Sequence, residues 1–119
     1  MIFILLTLLV LDSIYLTFHF TFFQTVFKKI QHTPLQFRIL PAMFVYACLT
    51  LLVYKLVQYK VSDLDTFLIG LCVYGIYEGT NYATLQSWPL YMFVVDTLWG
   101  GILLYLTIRF NRLFKNYIR

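Results

Sequence analysis

The sequence predicts an all-α integral membrane protein, built as a bundle of four helices that cross the bilayer. Of its 119 residues, 61% are hydrophobic and 12% are charged, whereas roughly a quarter of the residues in soluble domains are charged. Four stretches also reach the length of about 20 mainly apolar residues that a helix needs to cross a membrane. A water-soluble globular protein is excluded, because too few polar residues remain to cover a core.

The four predicted spans occupy most of the chain. They cover residues 2–27, 39–59, 66–85 and 90–110, and a basic tail follows at 111–119. The connections are short, so residues 1–119 are predicted to form a single transmembrane domain. The first span lacks the basic start and the small-residue cleavage site of a secretory signal and carries an aspartate in its middle, so we expect it to be retained.

Polar segments separate the spans. Residues 28–38, which include His32 and Pro34, are expected to form a polar loop, and residues 60–65 a shorter connection of mixed charge. The last connection, residues 86–89, is so short that the third and fourth spans must form an antiparallel hairpin. Its tryptophan is expected at the membrane–water interface, where amphipathic rings concentrate.

The distribution of basic residues predicts the orientation, because short cytoplasmic segments are enriched in Lys and Arg. With four spans, the N-terminus, the second loop and the C-terminal tail share one side. Six basic residues belong to that side, and three to the other. The six are Lys55, Lys60, Arg109, Arg112, Lys115 and Arg119, and the three are Lys28, Lys29 and Arg38. Both termini are therefore predicted to be cytoplasmic, with the tail against an anionic leaflet rather than bound to nucleic acid.

Three acidic side chains lie inside the predicted spans, where a charged aspartate costs about 2.5 to 3.5 kcal/mol. They are Asp12, Glu78 and Asp96. Residues three or four apart share a helix face, and each acid shares its face with polar, aromatic or small residues. These neighbours are Tyr15 and His19 in the first span, Tyr74 and Asn81 in the third, and Trp99 and Gly100 in the fourth. All three faces are expected to point into the bundle.

The same residues are expected to form one site. Counting from the span ends places His19, Glu78 and Asp96 at a common depth, with Asp12 about two turns deeper, and Arg38 above them at the mouth of the second span. The three acids exceed the cations available to them, so the cluster should hold a proton or bind a cation. The alternative is that these groups only hold the helices together.

Other chemistry has weaker support. Cys48 and Cys72 lie in apolar segments and match neither a disulfide framework nor a metal-ligand spacing. Gly75 and Gly79 have the small-xxx-small spacing of helix contacts, and with Gly100 they are expected to pack helices. No metal ligand set, nucleophile motif or phosphate-binding loop is apparent, so neither a metal nor a cofactor is expected.

The run from Tyr74 to Leu85, the Trp88-Pro89 pair and the run from Asp96 to Gly100 resemble a family of predicted membrane proteins catalogued as domain of unknown function 2177. Leu11-Asp12 is similar to the family's N-terminal motif, and Arg38 to Ala42 is similar to its proline-alanine segment. Glu78 stands where the family usually has aspartate, and Gly79 where an aliphatic residue is usual. The resemblance implies this fold and these residues, and it implies no activity.

Three functions remain open. The first is a small transporter or channel for protons or cations, formed as a homo-oligomer because one four-helix subunit leaves little room for a pore. The second is a membrane-embedded enzyme or binder that acts on a lipid-like substrate with a carboxyl pair. The third is a structural membrane subunit whose acids serve assembly alone.

Overall fold

The structure, a computed structural model, describes residues 1–31 and 38–118, and those residues form four α-helices. Helix α1 covers Ile2–Gln31, α2 covers Ile39–Gln58, α3 covers Asp63–Thr84 and α4 covers Leu90–Ile118. No strand occurs in the described part of the chain. The fold is therefore the all-α membrane bundle that the composition predicts.

The turn between α2 and α3 is determined by local backbone chemistry. Lys60 has a φ of 54°, the left-handed conformation that often ends a helix, although glycine usually occupies that position. Its N–H bonds to the carbonyl of Val57 at 3.1 Å, and the N–H of Val61 bonds to that of Leu56 at 3.0 Å. Ser62 then starts α3 by accepting the Asp65 N–H at 3.1 Å, as N-cap serines do.

Helices α3 and α4 form a tight hairpin through glycines. A Cβ on Gly70 would lie 2.8 Å from the Cα of Gly101, and a Cβ on Gly101 would lie 2.9 Å from the carbonyl oxygen of Phe67. Only glycine allows two backbones to approach so closely. The expected packing residues Gly75 and Gly79 also face α4, but at ordinary spacing, since their Cβ atoms would lie 3.5 and 3.7 Å from the nearest side-chain atoms. Gly100, the third expected packing residue, lies tightly against the side chain of Tyr74.

Helix α4 lies at the centre of the bundle, because it packs against all three other helices. Two apolar clusters surround it, one toward each end of the bundle. The cluster nearer the chain termini consists of Ile4, Leu8, Leu49, Val53, Leu56, Leu103, Leu104 and Ile108. The cluster nearer the α3–α4 turn consists of Phe23, Val26, Trp88 and Met92. Residues between the two clusters therefore lie at intermediate depth.

The helix bounds differ from the predicted spans at several ends. Helix α1 continues to Gln31 and contains Lys28 and Lys29 in its last turn. Positive charges there stabilise the C-terminus of a helix through its dipole. Helix α4 continues to Ile118, so most of the predicted tail is helical. His32 and Pro34, expected in the first loop, lie outside the described residues.

Among the described residues, three helices are long and apolar enough to cross a membrane: α1, α2 and residues Leu90–Lys115 of α4. Helix α3 is not among them, although its 22 residues are long enough to span about 30 Å. Its sequence includes three acidic residues, Asp63, Asp65 and Glu78, which lower its hydropathy. A fourth crossing by α3 therefore stays a prediction.

Candidate functional site

A cavity of about 270 Å³ lies between the two apolar clusters, and all three buried acids line it. Asp12 comes from α1, Glu78 from α3 and Asp96 from α4. Their side chains are 9%, 2% and 8% exposed, respectively. The structure thus brings together three carboxyl groups that are separated by up to 84 positions in the sequence, in a region away from both ends of the bundle.

Asp12 is held by donors from two other helices. The Tyr46 hydroxyl of α2 donates to its Oδ2, and the Trp99 indole N–H of α4 donates to its Oδ1 at 3.0 Å. Both oxygens of the carboxyl are therefore satisfied by neutral groups. These contacts also connect α1 to α2 and α4, so Asp12 links three helices in addition to lining the cavity.

Asp96 is bound by Tyr15, whose hydroxyl donates to Oδ1. The ring of Tyr15 stacks on that of Trp99, with centroids 4.7 Å apart and planes 4° from parallel. Because Trp99 is the donor to Asp12, one aromatic pair connects two acids. A displacement of either ring would disturb the hydrogen bonds of both carboxyl groups.

Glu78 accepts a hydrogen bond from the indole N–H of Trp88 at 2.8 Å. Its carboxyl group lines the same cavity as that of Asp96. Trp88 is 4% exposed, so its ring points into the bundle, while its expected depth at the membrane–water interface stays a prediction. The α3–α4 turn therefore contributes directly to the cavity, because Trp88 also forms part of its wall.

No ion pair between these three acids and a base occurs within the described residues. The ion pairs found there join Asp63 to Arg109, at 3.4 Å, and to Arg112, near the α2–α3 turn. All of the identified donors to the cavity carboxyls are neutral O–H or N–H groups. The cavity is therefore an acidic environment without a built-in counter-charge in this part of the chain.

Three of the other predicted site residues, His19, Arg38 and Asn81, do not line the cavity. His19 is half-buried, its ring lies 4.4 Å from that of Tyr15 at a tilt of 34°, and its Nδ1 lies 3.1 Å from the Tyr15 carbonyl oxygen. Arg38 is exposed at the start of α2, and Asn81 is half-buried on α3. Tyr74, in contrast, is part of the cavity wall.

Sequence reasoning did not assign two of the donors. Tyr46 is the α2 partner of Asp12, and Trp88 is the partner of Glu78. A weak signal existed for Trp88, since the Trp88-Pro89 pair falls in a segment that resembles the family. The partners of both donors could not be read from spacing, because the donor and the acid lie on different elements.

The model for a family of predicted membrane proteins, DUF2177, matches residues 1–109. The matched segment contains all four helices except the end of α4, and it includes every residue that lines the cavity. No curated protein and no solved structure shows significant similarity to the chain. The chain belongs to the DUF2177 family of predicted membrane proteins.

Proposed function

We propose that the protein is a small membrane transporter in which Asp12, Glu78 and Asp96 bind a proton or a cation. The observation that carries this proposal is the single cavity lined by all three carboxyl groups. Ionisable groups inside membrane helices are costly, and they commonly mark ion or proton pathways. A cluster of three without a base among the described residues is therefore better explained by a bound positive species than by packing alone.

The common cavity of Glu78 and Asp96 supports a shared occupant. Two carboxylates buried in one cavity repel each other unless a proton or a cation compensates their charge. The four identified donors leave carboxyl oxygens without a protein donor, since Trp88 binds Oε2 of Glu78 and Tyr15 binds Oδ1 of Asp96. Those oxygens are the acceptors that an occupant would use.

The two apolar clusters favour an occluded site over an open pore. One cluster lies on each side of the polar layer, so an ion has no continuous polar path through one subunit. Transport would therefore require the cavity to open alternately to each side. The glycine-packed α3–α4 hairpin forms a natural rigid unit that could move against α1 and α2. A homo-oligomer remains part of the proposal, because so small a bundle has few other surfaces against which to move.

Flux measurements in liposomes test the proposal. Purified protein would be reconstituted, and proton and monovalent-cation fluxes compared among wild type, Glu78→Gln and Asp96→Asn. Asp65→Asn is a matched control, since this exposed acid lies at the start of α3 and outside the cavity. We expect flux in wild type and in the control, and at least a tenfold loss, about 1.4 kcal/mol in rate terms, in either cavity variant.

Absence of flux in well-folded wild type would contradict transport and favour the two other functions. A membrane enzyme or binder has one specific observation in its favour, because the carboxyl pair of Glu78 and Asp96 could act as acid and base. Mass spectrometry of a co-purified lipid-like molecule, lost in Glu78→Gln, would support it. A structural subunit would instead show changes in assembly or stability, with no flux or bound molecule to lose.

A further inference from the structure

An apolar groove opens on the side of the bundle, between α2 and α3. Val45 and Leu49 of α2 and Val73, Tyr74 and Tyr77 of α3 line it, with a volume of about 370 Å³. Val45 and Tyr77 are more than half exposed, so the groove faces the surroundings of the bundle. In a bilayer, those surroundings are the acyl chains of lipids.

The groove and the acidic cavity share a wall. Tyr74 and Tyr77 line both, so only two aromatic side chains separate an apolar surface from three buried carboxyl groups. The Tyr74 hydroxyl makes no hydrogen bond within the described residues. It is therefore available to a molecule that lies across this wall, with a polar end inside and an apolar end outside.

We propose that the cavity and the groove together bind one amphipathic cation, a protonated primary amine with an alkyl chain, which enters sideways from the bilayer between α2 and α3. The inference rests on the proposed function and names its substrate class. An ammonium group carries a positive charge and three N–H donors, and the oxygens of Glu78 and Asp96 that have no identified donor can accept from it. An inorganic ion would not contact the apolar groove, and a neutral lipid would not compensate the charge of the three acids.

The two parts of the site contribute differently. Lipid tails are as apolar as the groove, so moving a chain from bilayer to groove yields little hydrophobic free energy. The groove therefore supplies a route and a shape, while the carboxylates supply the selectivity for a cation over a neutral molecule of the same length. Blocking the groove should impair binding by exclusion, and neutralising Glu78 should impair it by loss of charge.

The protein has a suitable internal probe, because its two tryptophans, Trp88 and Trp99, both line the cavity. Their fluorescence would be titrated at neutral pH, in a non-ionic detergent, with three compounds: dodecylamine, dodecanol and methylamine. Dodecylamine is expected to give a saturable change with an apparent affinity at least about tenfold higher than that of the other two, because its chain concentrates it in the micelle that the groove faces and its charge is recognised by the acids. Dodecanol controls for the chain, and methylamine controls for the charge.

Two substitutions test the ammonium group and the alkyl chain of dodecylamine separately. Glu78→Gln should weaken dodecylamine binding about tenfold or more, and Asp96→Asn serves the same purpose if the first variant does not fold. Val73→Phe should also weaken it by narrowing the groove. Val94→Phe is its matched control, since Val94 is an exposed valine on α4 that is outside both the groove and the cavity, and it should bind as wild type does.

The outcomes distinguish this inference from the proposed function. If methylamine binds as tightly as dodecylamine and this binding is lost in Glu78→Gln, the acids form a cation site, and the proposal of an amphipathic substrate is overturned. Dodecylamine binding that is insensitive to Val73→Phe would overturn the lateral route. Absence of any amine binding that depends on Glu78 or Asp96 would overturn this inference, whereas the proposed function would still be decided by the proton and cation fluxes in liposomes.

Discussion

Trp88 and Glu78 are joined by a hydrogen bond of 2.8 Å between the indole N–H and Oε2, and both side chains are almost completely buried. The bond connects the α3–α4 turn to a helix position that is ten residues earlier in the chain. It gives the turn a second role besides reversing the chain direction. The turn supplies the single identified protein donor to the most deeply buried acid of the cavity.

We therefore expect Trp88→Phe to destabilise the fold by about 1 to 3 kcal/mol, the usual cost of leaving a buried acceptor without its donor. Phenylalanine keeps an aromatic ring but loses the N–H. Reversible unfolding in mixed micelles would measure the change. In a Glu78→Leu background the same substitution should cost clearly less, because its partner is already absent. Strictly additive effects would show that the two side chains are not coupled.

Tyr46→Phe is expected to destabilise the protein by about 1 to 3 kcal/mol, because it removes a donor from the buried Asp12 carboxyl. Tyr54→Phe on the same helix is the matched control, since Tyr54 is 38% exposed and makes no side-chain hydrogen bond within the described residues. The free energy of unfolding of the Tyr54→Phe variant should remain within about 0.5 kcal/mol of that of wild type. Equal losses in the two variants would contradict a special role for Tyr46. Thermal unfolding in detergent provides the comparison.

Gly70→Ala should destabilise the α3–α4 hairpin by about 1 to 3 kcal/mol or more, the cost of overpacking a close contact. The added methyl group would meet the backbone of Gly101 at 2.8 Å. At Gly75 the new carbon would lie 3.5 Å from the nearest side-chain atom, so Gly75→Ala should be neutral or stabilising by up to about 1 kcal/mol. Unfolding midpoints that rank the two variants in the opposite order would contradict the observed packing.

Lys60→Gly is expected to stabilise the protein by about 1 kcal/mol. Lys60 adopts a φ of 54°, and a left-handed conformation costs a residue with a side chain roughly 1 to 2 kcal/mol relative to glycine. Lys60→Ala is the control, since alanine retains the Cβ that causes the strain and should leave stability nearly unchanged. Chemical unfolding would detect the difference. Stabilisation by alanine equal to that by glycine would point to the lost charge instead.

The helices and the buried acids could be predicted from the sequence because both depend on local patterns. Apolar stretches of membrane length indicate helices, and an acid inside such a stretch stands out against its neighbours. The exact helix ends were harder to predict, because an apolar stretch ends at the first polar residues. The backbone of α4, in contrast, continues as a helix through the basic residues that follow. The crossing of the membrane by α3 stays a prediction, because its acidic residues, one of which lines the site, lower its hydropathy.

The pairing of side chains was not accessible from the sequence alone. Helical spacing places Tyr15 on the same face as Asp12, yet Tyr15 donates to Asp96 on another helix. Gly70 and Gly101 contact each other only because α3 and α4 cross at that point. These relationships depend on the angles and distances between helices, and no local pattern specifies those.

The apolar layers on both sides of the cavity also have an electrical consequence. A low-dielectric layer above and below the carboxyl groups means that part of the membrane voltage falls between the cavity and each aqueous phase. An elementary charge that crosses the whole field changes energy by about 2.3 kcal/mol per 100 mV, so one that stops at intermediate depth changes by a fraction of that amount. The occupancy of this site by any charged species would therefore depend on the membrane potential.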